Sequence, residues 1–299
     1  MLDINDTCDP AHGHQQLALF HAHHDERSSA LRSTLPIHVY EATSGKPVAV
    51  ILRPGKTPDG TEVVLVLRHV IGAIRRRWPK VDILVRGDSH YGRPEAMAWC
   101  ERHRVAYVFG LAGNKVLLAR VTALAETAAL ERVEGEAAKV RRYDEFRYAA
   151  KSWNVERRVI ARVEASDQGS DSRFVVTNLR GAPRWLHEDV CCARGQAENL
   201  IKAHKRHLAS DRTSCSKATA NQFRLVLHTA AYWLLHTLRG LAPKRSFWRD
   251  AQFDTLRLAF IKVAGRVTEL ATRIKLALSS SYPYQRSFML LASRAARPP

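Results

Sequence analysis

Apolar and polar positions in the first hundred residues repeat with short periods that are typical of alternating strands and helices. Alternating or continuously apolar runs predict strands, whereas apolar residues three and four apart predict helices. The patterns predict strands at 2–7, 35–41, 47–52, 81–85 and 105–111, and helices at 60–78 and 94–103. This order predicts an α/β fold in which an antiparallel meander leads into parallel strands.

The rest of the chain follows a different pattern. Residues 117–142 have a charge-rich helical pattern, and strands are predicted at 157–165 and 173–179. The last 110 residues are predicted to be mostly helical, most clearly at 220–241 and 254–278. We therefore expect a second region that is partly β, followed by a helical C-terminal region.

The net charge of the chain indicates the kind of partner that it binds. Lys and Arg number 47 against 29 Asp and Glu, a formal net charge of +18. Such a field favours a polyanion, most plausibly nucleic acid, although a basic protein encoded by a GC-rich genome is the simpler alternative. No apolar run is long enough for a membrane helix, and the five cysteines form no C-x2-C pair. We expect a soluble cytoplasmic protein with reduced thiols.

Two segments of the α/β region carry carboxylates that are candidates for chemistry. In the strand at 2–7, alternation places Asp3 and Asn5 on one face and Asp6 on the other. Asp88 follows the apolar strand at 81–85 and precedes a helix, which is where active sites of α/β proteins usually lie. The simpler alternative for such a carboxylate is a turn or a helix cap.

A third candidate segment lies at 191–205. On a regular helix, Cys191, Arg194, Glu198 and Lys205 would fall within about 60° of one another, with Lys202 on the same stripe. An acid among basic groups suits a metal-and-phosphate site, because phosphodiester transfer uses two Mg²⁺ ions held by carboxylates. The alternative is a solvated helix face with ordinary charge pairs.

Taken together in chain order, these segments resemble the bacterial insertion-sequence transposases of the DDE type. Arg194, Glu198 and Lys205 match that family's tyrosine-x2-arginine-x3-glutamate-x6-lysine signature at full spacing. The segment 87–91 (Gly-Asp-Ser-His-Tyr) resembles the motif of the second acid, and 2–7 resembles the strand of the first acid. The resemblance extends from residue 1 to about 278.

The resemblance implies a fold and a division of the chain. We expect an RNase H-like mixed sheet flanked by helices, with a mainly β insertion and a helical C-terminal region. The first part of the catalytic core is expected at 1–111, the insertion at 112–180, and the helix of Glu198 with the C-terminal helices at 181–299.

The resemblance also implies roles for single residues. Asn5, Asp88 and Glu198 occupy the three catalytic positions, and Asp88, Glu198 and Asp3 are the candidate metal ligands for two Mg²⁺ or Mn²⁺ ions. Arg194, Lys202 and Lys205 are expected to contact DNA, at transposon ends and at the target. We expect a homodimer on paired ends, associated with the nucleoid.

Two residues depart from the family pattern. Asn5 replaces the first acid, and an amide is a weaker Mg²⁺ ligand without the negative charge; Cys191 replaces the tyrosine of the signature. The chain also begins inside its first catalytic strand, and the segment 27–34 is longer than expected. These features favour a truncated, decaying copy. A non-catalytic DNA-binding remnant of a transposase is the main alternative, and a housekeeping nuclease on the same fold is the third.

Overall fold

The computed structural model describes residues 1–21 and 32–296. Most of the segment 27–34 therefore lies outside the described residues. The strands are β1 (Leu2–Asp6), β2 (Asp9–Pro10), β3 (Phe20–His21), β4 (Arg32–Thr34), β5 (Ile37–Glu41), β6 (Lys46–Ile51), β7 (Leu84–Gly87), β8 (Ala106–Leu111), β9 (Lys139–Tyr148), β10 (Arg157–Ser166), β11 (Gly169–Thr177), β12 (Gly265–Leu270) and β13 (Arg273–Leu278).

The α-helices differ widely in length, and four further helical segments are not α-helical. The α-helices are α1 (Gly60–Arg77), α2 (Pro94–Arg102), α3 (Lys115–Arg120), α4 (Thr122–Glu134), α5 (Pro183–Trp185), α6 (Gly195–Lys202), α7 (Ala218–Leu241), α8 (Phe247–Asp250), α9 (Phe253–Leu256) and α10 (Gln285–Ala295). The others are the 3-10 helix Cys192–Arg194 and the π-helical segments Leu186–Cys191, Ala203–His207 and Arg257–Ile261. None of the helices in the described ranges is both long and apolar enough to cross a membrane.

An eight-stranded mixed sheet forms the centre of the fold, in the order β6-β5-β1-β7-β8-β11-β10-β9. Strands β1, β5 and β6 form an antiparallel meander, and β7 and β8 continue the sheet parallel to β1. The predicted α/β fold with a mixed sheet flanked by helices is therefore confirmed. Helix α1 begins with a capping box formed by Asp59 and Glu62. It buries the predicted apolar stripe in the core that also contains Ile4 and Val85.

The segment predicted as an insertion, 112–180, contributes three strands to the same sheet. Strand β11 pairs with β8, and β10 and β9 extend the sheet to its edge. The helical pattern predicted for 117–142 is wrong beyond Glu134, where α4 ends at Gly135. From residue 139 onwards the chain forms β9, whose residues Val140 and Phe146 pack against the core.

The described chain divides into two compact units. One contains Met1–Ala11 and Leu17–Asn199, and the other contains His12–Gln16 and Leu200–Pro299. In the second unit, α7 confirms the helix predicted at 220–241. The helix predicted at 254–278 is wrong after Ile261, because 265–278 forms the hairpin of β12 and β13. Ile274, Leu276 and Leu278 alternate with other residues there, which is the period of a strand.

A buried ion pair links three parts of the first unit. Asp3 of β1 is 1% exposed and Arg86 of β7 is 2% exposed. The Arg86 Nε and Nη2 atoms donate to the two Asp3 carboxylate oxygens at 2.6 and 2.8 Å. Its Nη1 atom donates to the Val190 carbonyl oxygen at 2.7 Å. One guanidinium therefore joins two parallel strands to the helical segment that leads towards Glu198.

Close backbone packing holds the loop that follows β7. A Cβ atom at Gly110 of β8 would lie 2.9 Å from the Ser89 nitrogen and 3.0 Å from the Asp88 carbonyl carbon. A side chain at position 110 would thus displace the backbone that carries Asp88, and the absence of one lets the loop lie directly on β8.

Removing one partner of the buried pair tests its contribution to stability. The Arg86→Met variant is expected to lose about 3–5 kcal/mol of unfolding free energy, because Asp3 then stays buried without a counter-charge. Urea unfolding measures the loss. As a control, Arg173→Met breaks an exposed pair with Asp171 and is expected to cost less than about 1 kcal/mol. Equal losses in the two variants would contradict this account of the pair.

A pair of glycine substitutions tests the packing of the Asp88 loop. The Gly110→Ala variant is expected to lose about 1–3 kcal/mol of unfolding free energy through overpacking. Gly72→Ala is the matched control, because a Cβ there meets nothing within 4 Å. Within α1 it is expected to stabilise by about 0.5–1 kcal/mol. Thermal unfolding compares the two variants, and a Gly110→Ala protein as stable as Gly72→Ala would be the contrary result.

Candidate active site

Two of the three predicted catalytic positions lie at the ends of neighbouring parallel strands. Asp3 on β1 is paired in register with Arg86 on β7, and their side chains contact each other. Asn5 is two residues after Asp3 within β1, and the alternation of side chains places both on the same face of the strand. Asp88 directly follows Gly87, the last residue of β7, and lies in the loop after that strand. The assignment of Asn5 to the first acidic position stays a prediction.

Asp6 contacts the loop that carries Asp88. Its Oδ2 atom accepts a hydrogen bond from the Tyr91 hydroxyl at 3.0 Å and lies 3.0 Å from His90 Nδ1. The His90 backbone N–H donates to Asp88 Oδ1 at 2.9 Å. Asp6 is the last residue of β1, so its carboxylate connects the loop after β7 to the end of β1 by hydrogen bonds.

The charged groups of the site change one another's pKa values. Burial raises the pKa of Asp88, and the charge of Asp6 adds to this, whereas the His90 hydrogen bond, the His90 ring and the charge of Arg194 act in the opposite direction. The hydrogen bond to Asp6 raises the pKa of His90, although burial opposes it.

The predicted signature is not on one regular α-helix. Cys191 ends a π-helical segment, Arg194 ends a 3-10 helix, and Glu198 is in the first turn of α6. Lys202 ends α6, and Lys205 lies in the second π-helical segment. The prediction of a single stripe at 100° per residue is therefore wrong, because both π and 3-10 geometry change the angle per residue.

The structure gives each signature residue a different environment. Glu198 is exposed and Arg194 is half-buried, and both belong to the first compact unit. Lys202 and Lys205 belong to the second unit, where Lys202 is exposed. The Nη1 atom of Arg194 is buried and has no hydrogen-bond partner among the described residues. A buried, unsatisfied guanidinium nitrogen is suited to an oxyanion such as phosphate.

The donor set fits a two-metal site incompletely. The Asn5 side-chain oxygen already accepts from the Asp6 N–H at 3.0 Å, and both Asp3 oxygens accept from Arg86. Within residues 1–21 and 32–296, no three or more His, Cys, Asp or Glu side chains are arranged to hold a metal ion. The role of Asp3 as a ligand stays a prediction, and a metal there would have to displace Arg86. The two-metal site therefore lacks one carboxylate that is free to bind a metal ion.

Sequence reasoning missed two functional features of this site. The partnership of Asp3 with Arg86 joins residues 83 positions apart, and no local pattern signals it. The contacts of Asp6, which the strand pattern places on the opposite face from Asn5, with His90 and Tyr91 are the second. Alternation gives the face of a side chain but not the loop that it contacts.

Comparisons with known proteins complete the description. The model of the family "Transposase DDE domain group 1" matches residues 1–298. No curated protein sequence matches the chain significantly. Among solved structures, the chain is similar to the piggyBac transposase in a cryo-EM structure of its synaptic complex with hairpin DNA, with a TM-score of 0.41 and 9% identity. The match covers 86% of this chain and 53% of that one, so the chain spans about half the length of that transposase. The family match over nearly the whole sequence shows that the chain belongs to the transposase DDE domain family.

Proposed function

We propose that this chain is the catalytic domain of an insertion-sequence transposase that cleaves and joins DNA on an RNase H-like core. Asp88 and Glu198 are its remaining acids, and Asn5 occupies the first acidic position. The observation that carries the proposal is the parallel pairing of β1, which contains Asn5, with β7, which Asp88 directly follows. Family membership supports the reaction class.

Each proposed role follows from the chemistry of the residue. Asp88 and Glu198 would hold Mg²⁺ or Mn²⁺, which when bound activates the attacking oxygen and stabilises the leaving one. Arg194 would contact the scissile phosphate, a role supported by its buried, unpartnered nitrogen. Lys202 and Lys205 would bind the DNA backbone further along. Asp6, through His90 and Tyr91, is a positioning residue for the Asp88 loop.

This copy is proposed to be impaired. A neutral amide at position 5 removes one negative charge from the site, and metal occupancy falls with it. Dimerisation on paired ends and association with the nucleoid remain expectations from the resemblance.

A non-catalytic DNA-binding protein is the second candidate. The observation that favours it is the combination of Asn5 with an Asp3 whose two oxygens are already bound by Arg86. Such a protein would occupy DNA in a salt-dependent way without cleaving it.

Nicking of supercoiled plasmid in Mn²⁺ tests the proposal. The Asn5→Asp variant is expected to nick more than about tenfold faster than the unmodified chain, a change of roughly 1.4 kcal/mol in activation free energy. The restored carboxylate supplies the missing charge. The double variant Asn5→Asp/Glu198→Gln is expected to be inactive, and Asn5→Ala is the control for changes at position 5 that add no charge.

The outcomes separate the candidates. Equal nicking by the unmodified chain and Asn5→Asp would contradict the impairment. Activity of Asn5→Asp that survives Glu198→Gln would contradict the assignment of the third acid. No nicking by any variant, combined with salt-dependent DNA binding, would favour the non-catalytic candidate.

A further inference from the structure

A groove at the outer edge of the main sheet is not part of the candidate active site. It has a volume of about 580 Å³ and belongs entirely to the first compact unit. Strand β9, the last strand in the sheet order, forms one wall, and the helical segment that begins at Pro183 contributes to the other. The lining residues are Lys139, Arg141, Arg142, Tyr143, Arg184 and Glu188.

The lining carries four cations and one carboxylate. Glu164 and Glu131, which are not in the lining, pair with three of these cations, so the four cations and three carboxylates together have a net charge of +1. The side chains of Lys139, Arg141 and Arg142 are 48%, 41% and 47% exposed, and that of Arg184 is 76% exposed. Long basic side chains with this much exposure can reorient towards a ligand without the cost of extracting a buried charge.

Acidic residues form ion pairs with these cations but do not use all of their N–H donors. Glu188 accepts from Arg141 and Arg184, each at 3.3 Å, and also from the Tyr143 hydroxyl. Glu164 accepts from Lys139 at 2.9 Å and from Arg141 at 2.6 Å. A guanidinium has five N–H donors, so Arg141 and Arg184 keep donors for a further oxyanion.

Two neighbouring titratable groups respond to the basic residues around the groove. Burial lowers the pKa of His187 to about 4, and the charges of Arg162, Arg173 and Arg141 act in the same direction, against Glu188. Hydrogen bonds from Lys139 and Arg141 lower the pKa of Glu164 to about 2.

We propose that this edge groove binds the phosphate backbone of double-stranded DNA. An open site with several exposed arginines matches a polyanion better than a small molecule. Arg184 and Arg194 lie on one continuous run of helical segments, 183–194, which connects the groove with the candidate active site along the chain. The inference rests on the proposed function, and its test does not require catalysis.

The salt dependence of DNA binding measures the contribution of the groove. Fluorescence anisotropy with a labelled 30-base-pair duplex gives the slope of log K against log salt, which is about −0.9 for each phosphate neutralised. The Arg141→Ala/Arg184→Ala variant is expected to reduce the magnitude of the slope by about 1.8. Arg76→Ala/Arg77→Ala is the matched control, because it removes the same charge from exposed residues at the end of α1.

A variant that binds DNA more tightly cannot be explained by a loss of folding. Glu188→Gln removes the one carboxylate of the groove and is expected to tighten DNA binding at fixed salt. Thermal unfolding of each variant verifies that the fold is intact.

The outcomes distinguish this inference from the proposed function. A smaller slope in the groove variant alone, with tighter binding by Glu188→Gln, would support the groove. DNA binding with equal slopes in the groove and control variants would overturn the DNA-binding role of the groove but not the proposed function. The charges of the groove would then protect an exposed sheet edge from pairing with another strand. No DNA binding by the unmodified chain would overturn both.

Discussion

The buried ion pair between Asp3 and Arg86 is the interaction on which the candidate site depends. It places two charges in the core, at 1% and 2% exposure, where a lone charge is costly and a mutually bound pair is tolerated. The two residues are directly paired positions of β1 and β7. Through the hydrogen bond to the Val190 carbonyl, Arg86 also contacts the helical segment that leads into the signature.

The two carboxylates near the strand ends have separate roles. Asp88 lies in a loop packed on Gly110, and the charge of Arg194 acts to lower its pKa. Asp6 is committed to His90 and Tyr91 and thereby shapes that loop. Under the proposed assignment, the site therefore has the acids Asp88 and Glu198 and an amide at position 5.

Local patterns predicted the strand that contains Asn5 and the strand that Asp88 follows, because apolar runs are visible in the sequence. Arg194 and Glu198 were chosen by their spacing in a family signature, and their roles stay predictions. Local patterns did not predict the Asp3–Arg86 pair, since tertiary pairing leaves no periodic signal. The hairpin at 265–278 was predicted as helix, because apolar residues four apart occur both on one face of a helix and on one face of an alternating strand. The π and 3-10 segments before Glu198 were predicted as regular helix, because spacing alone does not distinguish the helix types. Helix type and strand pairing depend on packing that a single segment does not reveal.

Binding of Mn²⁺, followed by electron paramagnetic resonance, tests most directly whether position 5 and Asp88 share one metal site. The account predicts that Asn5→Asp binds Mn²⁺ about tenfold or more tightly than the unmodified chain, which is at least 1.4 kcal/mol, and that Asp88→Asn in the same variant abolishes the gain. Equal affinity of Asn5→Asp and the unmodified chain, or a gain that persists after Asp88→Asn, would contradict the account.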